Sequence, residues 1–132
     1  MDTIANDRIP QILLIENVSG LGRVLGISLL EAGYAVSKVN QPEDVEARIV
    51  NSPVDVVVFN TGLAAQLKSD FIHGWRQVAP TIKILEISEE PLIKSAAGID
   101  MEKVGAPDGY LAIPFLIEEL PNAVESLLKG EE

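Results

Sequence analysis

Five short apolar-rich runs alternate with amphipathic segments along this chain, and this alternation limits its possible folds more than any other feature. The runs lie at residues 12–15, 34–39, 54–62, 82–87 and 110–113. Continuous runs of Ile, Leu and Val are typical of parallel strands that helices cover on both faces. The mixed polar and apolar residues at 34–39 are typical of an edge strand. Five strand–helix units without a linker or repeat predict a doubly wound α/β sandwich.

The segments between the runs have helical spacing. A first helix is predicted at about 19–32 and a third at about 65–78, while Pro42 is predicted to open the second. The predicted buried stripes are Leu21, Val24, Leu25 and Leu29 on the first helix and Leu67, Phe71, Trp75 and Val78 on the third.

Two further helical regions are predicted in the second half of the chain. Pro91 is expected to start one, which is broken near residues 98–100. The last helix is predicted at about 116–129, where Pro121 is expected to cost a hydrogen bond or bend the axis.

The 132 residues are expected to form one domain at 11–130, preceded by a flexible N-terminal segment at 1–10. No apolar run approaches the roughly 18–20 residues that span a membrane. The amino terminus also lacks the basic start and apolar block of a secretion signal, so the cytoplasm is the expected location.

Charge and cysteine content exclude several classes of function. The net charge is −10, from 20 acidic and 10 basic residues, which argues against a nucleic-acid partner. We interpret this acidity mainly as a source of solubility. The chain has no cysteine and a single histidine, His73, so neither a disulfide, a thiolate nucleophile nor a metal centre is expected.

Asn60 is the most informative polar residue. The apolar run before it predicts a buried strand that ends at Asn60, and ligands of open parallel sheets bind at the carboxyl ends of the strands. A carboxylate at this position could accept a phosphoryl group or hold Mg²⁺. The amide of Asn60 keeps the shape and the hydrogen bonds but lacks the charge and the nucleophile.

The succession of strand ends resembles the receiver domains of bacterial two-component response regulators, over about residues 11–129. Glu16 and Asn17 fall where receivers place an acidic pair for the metal, and Asn60 falls at the position of the phosphoacceptor. Ser88 falls at the position of the hydroxyl that contacts the phosphoryl group, and Tyr110 falls at that of the aromatic switch residue. Residues Ile113–Phe115 fall where receivers carry the sequence Lys-Pro-Phe. The resemblance implies a flavodoxin-like fold, a five-stranded parallel sheet of order 2-1-3-4-5 between helices.

The departures from the receiver pattern fall on the reactive positions. Phosphoryl transfer to a carboxylate needs the nucleophilic carboxylate itself, a metal held by further carboxylates, and a cation that stabilises the negative charge on the phosphoryl group. Here Asn60 replaces the nucleophile, Asn17 replaces one acid of the metal pair, and Ile113 replaces the lysine. Glu16 is the sole acid left in the pair. The pocket formed by Glu16, Asn17, Asn60, Ser88 and Ile113 is therefore expected to be degenerate, with no catalytic residue, metal or cofactor.

The expected function is that of a pseudo-receiver, which binds another signalling protein without aspartate phosphorylation and is not an enzyme. The resemblance implies a histidine kinase or an output protein as the partner. The expected contact face combines the helical region after Pro91, the fifth strand and the last helix, with Tyr110 and Phe115 as its aromatic residues. The same face could form a homodimer.

Other interpretations remain open at this point. One is a residual phosphoacceptor that uses Glu16 or another acid, and another is a sensor that binds a nucleotide or anion at the helix start near Gly20. The glycine-rich stretch 20–26 is a weak dinucleotide-binding pattern, and close packing of the first helix on the sheet explains its glycines as well.

Several polar or aromatic side chains also have purely structural explanations. Asn60 could cap its own turn, Ser88 could cap the helix after it, and Tyr110 could be a half-buried aromatic on an edge strand. Glu86 lies inside an apolar run, where a buried carboxylate needs a partner or a raised pKa.

Overall fold

A five-stranded sheet forms the centre of the molecule. The computed structural model describes residues 9–15, 21–60, 65–88, 106–112 and 116–130. The strands are β1 (Gln11–Ile15), β2 (Ala35–Val39), β3 (Val56–Asn60), β4 (Lys83–Ser88) and β5 (Gly109–Ala112). All neighbouring strands are parallel and their order is β2-β1-β3-β4-β5, which confirms the predicted sheet.

Four α-helices connect or follow the strands in the described part of the chain. They are α1 (Leu21–Glu31), α2 (Val45–Asn51), α3 (Ala65–Val78) and α4 (Glu119–Leu128), and a 3₁₀ turn at Pro42–Asp44 leads into α2. The helical region predicted after Pro91, with its break at 98–100, lies outside the described residues, as does most of the N-terminal segment predicted to be flexible. Among the helices that are described, none is both long and apolar enough to cross a membrane.

Alternate residues of the strands supply two separate hydrophobic layers. Ile12 and Leu14 of β1 contribute to one cluster with residues of α1 and α4, whereas Leu13 and Ile15 contribute to the other with residues of α2 and α3. This is the expected consequence of side chains that point to opposite faces along a strand. The sheet is thus covered on both sides, which explains why β1 and β3 are apolar from Ile12 to Ile15 and from Val56 to Phe59.

The buried stripe of α1 differs from the prediction at Val24. Val24 is 50% exposed, and the buried side chains nearby are Leu25 and Leu29. Gly22 and Gly26 complete the buried stripe at spacings of three and four residues. A Cβ on Gly26 would lie 3.3 Å from Lys38 Cε on β2, so this glycine allows close packing of α1 on the sheet.

The buried face of α3 agrees with the prediction at Trp75 but differs at Val78. Trp75 is fully buried and Phe71 is partly buried, while Ile72, which was not predicted, is also fully buried and Val78, the last residue of the helix, is 40% exposed. The ring of Trp75 lies edge-on to Phe59 and stacks on Phe71, with centroid distances of 6.0 and 6.2 Å. His73 is exposed, as its position on the other face of the helix predicts.

The last helix starts three residues later than predicted. Leu116 and Ile117 are exposed, and α4 begins at Glu119. Pro121 is therefore the third residue of the helix, where the backbone N–H has no partner within the helix. The missing donor of Pro121 costs no helical hydrogen bond, and the alternative, a bend of the helix axis at this residue, stays a prediction.

Candidate functional site

The carboxyl edge of the sheet collects the ends of the strands that carry the predicted pocket. Asn60 ends β3, the middle strand, and is paired in register with Ile87 of β4. Ser88 ends β4 and is paired with Ala112 at the end of β5. These parallel strands finish at one edge, as the sequence predicted, so the backbone brings Asn60 and Ser88 to neighbouring strand ends.

The remaining pocket positions follow these strand ends in sequence. Glu16 and Asn17 come directly after β1, and Ile113 comes directly after β5. These three residues and Phe115 lie outside the described part of the chain. The side chain of Asn60 is an uncharged amide, which can donate and accept hydrogen bonds but cannot form an acylphosphate.

Tyr110 and Glu86 form a neighbouring pair on β5 and β4. The two residues are paired in register, and Phe59 lies opposite Glu86 on β3. Glu86 is 2% exposed and Tyr110 is half-buried. Burial raises the pKa of the Tyr110 phenol above its ordinary value of 10.0, and the charge of Glu86 raises it further. The phenol therefore stays neutral at physiological pH and can serve as a hydrogen-bond donor.

Tyr110 lies on β5, the last strand of the sheet, as was predicted for the run at residues 110–113. An open cleft of about 300 Å³ lies alongside, between this strand and α4. Its lining residues are Leu85, Asp108, Gly109, Tyr110, Ala123, Ser126 and Leu127. The predicted contact face thus presents a half-buried aromatic residue and a concave surface next to each other.

A polar network that sequence reasoning missed fixes the start of β5. Asp108 Oδ2 accepts a hydrogen bond from the Ile84 backbone N–H at 2.7 Å and another from Arg76 Nη2 at 2.7 Å. The Arg76 guanidinium also donates to the Ala106 carbonyl at 2.8 Å, and the Asp108 N–H donates to the Ile84 carbonyl at 2.8 Å. These contacts join α3 to the strand that carries Tyr110.

Asp55 performs the same role at the start of β3. Its Oδ2 accepts a hydrogen bond from the Gln11 backbone N–H at 2.7 Å, and its carbonyl accepts one from the Lys83 N–H at 3.0 Å. Both aspartates stand one residue ahead of a strand, next to a neighbouring strand that begins earlier. An aspartate directly before an apolar run is the sequence signal that could have indicated this network.

Comparison with known proteins adds a sequence relative and several similar structures. No family model matches the chain. The transcriptional regulatory protein BasR of Escherichia coli (strain K12) is 30% identical over 120 residues, which cover 90% of this chain and 52% of BasR. The chain therefore spans about half the length of the curated relative that it matches.

Solved structures match over nearly the whole chain. A response regulator receiver domain protein (CheY-like) from Methanospirillum hungatei JF-1 has a TM-score of 0.77 at 15% identity, covering 93% of this chain and 96% of that one. The chain has the fold of a receiver domain. A structure described as a novel family of redox sensors in the streptococci, evolved from two-component response regulators, has a TM-score of 0.74 at 22% identity and covers 92% of this chain and 52% of that one.

The receiver fold confirms the predicted resemblance. In this receiver fold, Asn60 and Ser88 end adjacent strands, and Tyr110 lies on the last strand beside Glu86. The degenerate pocket around Asn60 and the contact face around Tyr110 and Phe115 stay predictions.

Proposed function

We propose that the chain is a signalling module that works by binding another protein and is not switched by phosphorylation of an aspartate. The observation that supports this proposal is the position of Asn60 at the carboxyl end of β3, the middle strand of a receiver sheet. A phosphorylated receiver would need a carboxylate at this strand end. The amide of Asn60 provides neither its charge nor its nucleophilic oxygen.

Two further departures from the receiver pattern also argue against phosphorylation. Asn17 removes one carboxylate from the expected metal pair, and Ile113 removes the ammonium that would neutralise the product. Phosphoryl transfer depends almost entirely on positioning and on such charges. Restoring an acid at residue 60 alone, for instance by deamidation, would leave the pocket without its cation. We therefore expect no phosphoryl transfer to a carboxylate in this pocket.

The proposed contact face is centred on Tyr110. This residue is half-buried on the last strand, its strand is held in place by Asp108, and an open cleft lies beside it. The partner that fits a receiver fold is another signalling protein, either a histidine kinase or an output protein, and a second copy of the chain through this face is an alternative.

Phosphorylation of purified protein tests the first half of the proposal. The wild type is incubated with acetyl phosphate and Mg²⁺, and intact-mass spectrometry detects an added phosphoryl group. The variant Asn60→Asp restores the nucleophile alone, and the triple variant Asn17→Asp/Asn60→Asp/Ile113→Lys restores all three parts. We expect no adduct on the wild type, little on the single variant and a clear adduct on the triple variant.

An adduct on the wild type would contradict the proposal and would favour a residual phosphoacceptor that uses Glu16 or another acid. The variant Glu16→Gln distinguishes these two cases, because loss of the adduct assigns it to Glu16 and its retention assigns it to a different acid.

Partner capture tests the second half of the proposal. Tagged wild-type protein is used to retrieve binding partners from lysate of the source organism, in parallel with Tyr110→Ala and the control Val50→Ala. Val50 is a suitable control because it is 67% exposed on α2, away from β5. We expect Tyr110→Ala to lose the partner and Val50→Ala to keep it. If every partner stayed bound to Tyr110→Ala, the proposed face would be wrong.

A second candidate function is the sensing of a small ligand on the same fold. The streptococcal structure supports it, because that protein is described as a redox sensor evolved from response regulators. This chain has no cysteine, so sensing would have to use binding of a nucleotide or anion rather than thiol chemistry. A rise in melting temperature with ATP, GTP or phosphate would favour this alternative.

A further inference from the structure

Helix α1 exposes an apolar stripe on the side that faces away from the sheet. Val24, Ile27 and Leu30 are 50%, 50% and 56% exposed. Leu25 and Leu29, which lie in the core, are on the opposite side of the helix because each residue advances by about 100°. The stripe is therefore a second apolar face of α1, with Ile27 at its centre.

The segment before α4 extends this apolar surface. Leu116 and Ile117 are 63% and 45% exposed. The Ser28 hydroxyl on α1 donates a hydrogen bond to the Ile117 carbonyl at 3.3 Å, so the two segments lie side by side. We call Val24, Ile27, Leu30, Leu116 and Ile117 the α1 patch. Apolar surfaces that are contiguous in this way commonly mark sites of protein association.

The residues along the stripe are arranged symmetrically about Ile27. Val24 and Leu30 are each three residues away from it, and the exposed residues Arg23 and Glu31 are each four residues away. The apolar positions therefore match in pairs, while the two ends carry opposite charges. A two-fold symmetric interface places the same surface of both subunits in contact, which requires this kind of self-complementarity.

We propose that two copies of the chain associate through the α1 patch, with their α1 helices antiparallel and a two-fold axis at Ile27. With the rise of about 1.5 Å per residue, Arg23 then lies level with Glu31 of the second copy, and Val24 lies level with Leu30 of the second copy. Each end of the contact gains a pair of opposite charges. A parallel arrangement would instead place Arg23 against Arg23 and Glu31 against Glu31.

The centre of this interface differs from the centre of the face around Tyr110. The α1 patch is centred on Ile27 of α1, whereas Tyr110 lies on β5. Tyr110 is not a residue of the α1 patch, although Phe115 of the predicted Tyr110 face directly precedes Leu116 in the sequence. The two contacts can be tested independently.

The first experiment measures the oligomeric state of the full chain by sedimentation velocity over a range of protein concentrations. A salt concentration of about 0.15 M reduces the repulsion between two copies, because the Debye length is then only about 8 Å. The test variant is Ile27→Asp and the matched control is Val50→Asp, in which an exposed valine of α2 is replaced. Circular dichroism confirms that each variant is folded.

We expect a wild-type dimer that the control variant retains. Ile27→Asp should raise the dissociation constant by more than about 100-fold, because two carboxylates then meet at the symmetry axis. Tyr110→Ala should leave the dissociation constant unchanged.

The second experiment reverses the charges at the ends of the stripe. Arg23→Glu and Glu31→Arg should each weaken the dimer by about tenfold, because two exposed attractive pairs become repulsive. Mixing these two variants should restore association, since both pairs are complementary in the mixed dimer. The double variant Arg23→Glu/Glu31→Arg should also dimerise, because the two charges have exchanged places.

Several results would overturn the proposal. The wild type could remain monomeric at millimolar concentration, or its dimer could survive Ile27→Asp, or the mixed charge-reversal variants could fail to associate. A dimer that is lost in Tyr110→Ala but kept in Ile27→Asp would assign self-association to the β5 face. A monomeric wild type that loses a foreign partner in Ile27→Asp would assign the patch to a different protein.

Discussion

Replacement of Asp108 by alanine tests how much the polar network at the amino-terminal edge contributes to the stability of the receiver fold. The change removes the acceptor of two hydrogen bonds, one from the Ile84 N–H and one from the Arg76 guanidinium, both at 2.7 Å. Ile84 is fully buried, and the side chain of Arg76 is 13% exposed. The Ile84 N–H loses this acceptor when the carboxylate is removed, whereas the Arg76 guanidinium keeps its hydrogen bond to the Ala106 carbonyl.

The two losses can be estimated separately. A buried backbone donor without a partner costs about 1–3 kcal/mol. The Asp108 side chain is 29% exposed, so its ion pair with Arg76 is partly screened and contributes only about 1 kcal/mol. Asp108→Ala should then lower the free energy of unfolding by about 2–4 kcal/mol. Asp108→Asn keeps an acceptor for the Ile84 N–H and should cost about 1 kcal/mol.

Urea denaturation followed by far-ultraviolet circular dichroism measures both changes. With a slope of about 2 kcal/mol per molar urea, the midpoint of Asp108→Ala should fall by about 1–2 M at an unchanged slope. Glu125→Ala is the control, because Glu125 pairs with Lys129 at 3.0 Å while both side chains are more than half exposed. Its effect should stay within about 0.5 kcal/mol.

The reasoning would be refuted if Asp108→Ala cost less than about 1 kcal/mol. Equal costs for Asp108→Ala and Asp108→Asn would also refute it, because the bond to the Ile84 N–H would then contribute nothing. A double-mutant cycle with Arg76→Met isolates the ion pair from the backbone bond.

Two further predictions concern pH and helix stability. Burial raises the pKa of Tyr110 in the folded protein above its ordinary value of 10.0. The stability that the neutral phenol contributes is therefore fully present below pH 10.0 and is lost as the pH rises through the folded-state pKa. Ultraviolet titration should show that Tyr110 ionises above pH 10.0, and Tyr110→Phe should reduce the loss of stability at alkaline pH. Ionisation of Tyr110 at or below pH 10.0 would contradict the prediction. Gly74→Ala should raise the free energy of unfolding by about 1 kcal/mol, because the new Cβ meets only the mobile end of Glu46, whose Oε2 lies 2.6 Å away. A lower urea midpoint for Gly74→Ala would show that Glu46 cannot move aside.

The sheet could be predicted from the sequence because its central strands are covered on both faces. Leu13 and Leu14 belong to opposite layers, so both faces of β1 are apolar from Ile12 to Ile15, and this produces a signal that is easily recognised. The strand ends at Asn60 and Ser88 follow from the lengths of the same apolar runs. The five strands and the strand ends at Asn60 and Ser88 were therefore predictable from local patterns, whereas the strand order was implied by the resemblance to receivers.

The errors arose where local patterns are ambiguous. Val24 is apolar and lies next to Leu25, and helical spacing alone does not show that the buried stripe uses Gly26 instead. Leu116 and Ile117 look like helical residues because they are apolar, although α4 begins after them.

The network of Asp108 was missed for a different reason. Its partners Ile84 and Arg76 are 24 and 32 residues away in the sequence, so only the tertiary structure brings them together.

The separation of the core into two layers has a practical consequence for spectroscopy. Trp75, the sole tryptophan, is buried in the layer under α2 and α3, whereas Tyr34 packs against the layer under α1 and α4. Fluorescence of Trp75 therefore monitors one side of the sheet. In the Tyr110→Phe variant Tyr34 is the sole tyrosine, and its near-ultraviolet signal monitors the other side. Coincident melting of the two signals would show that both layers unfold as one cooperative unit, and divergent melting would reveal which side loosens first.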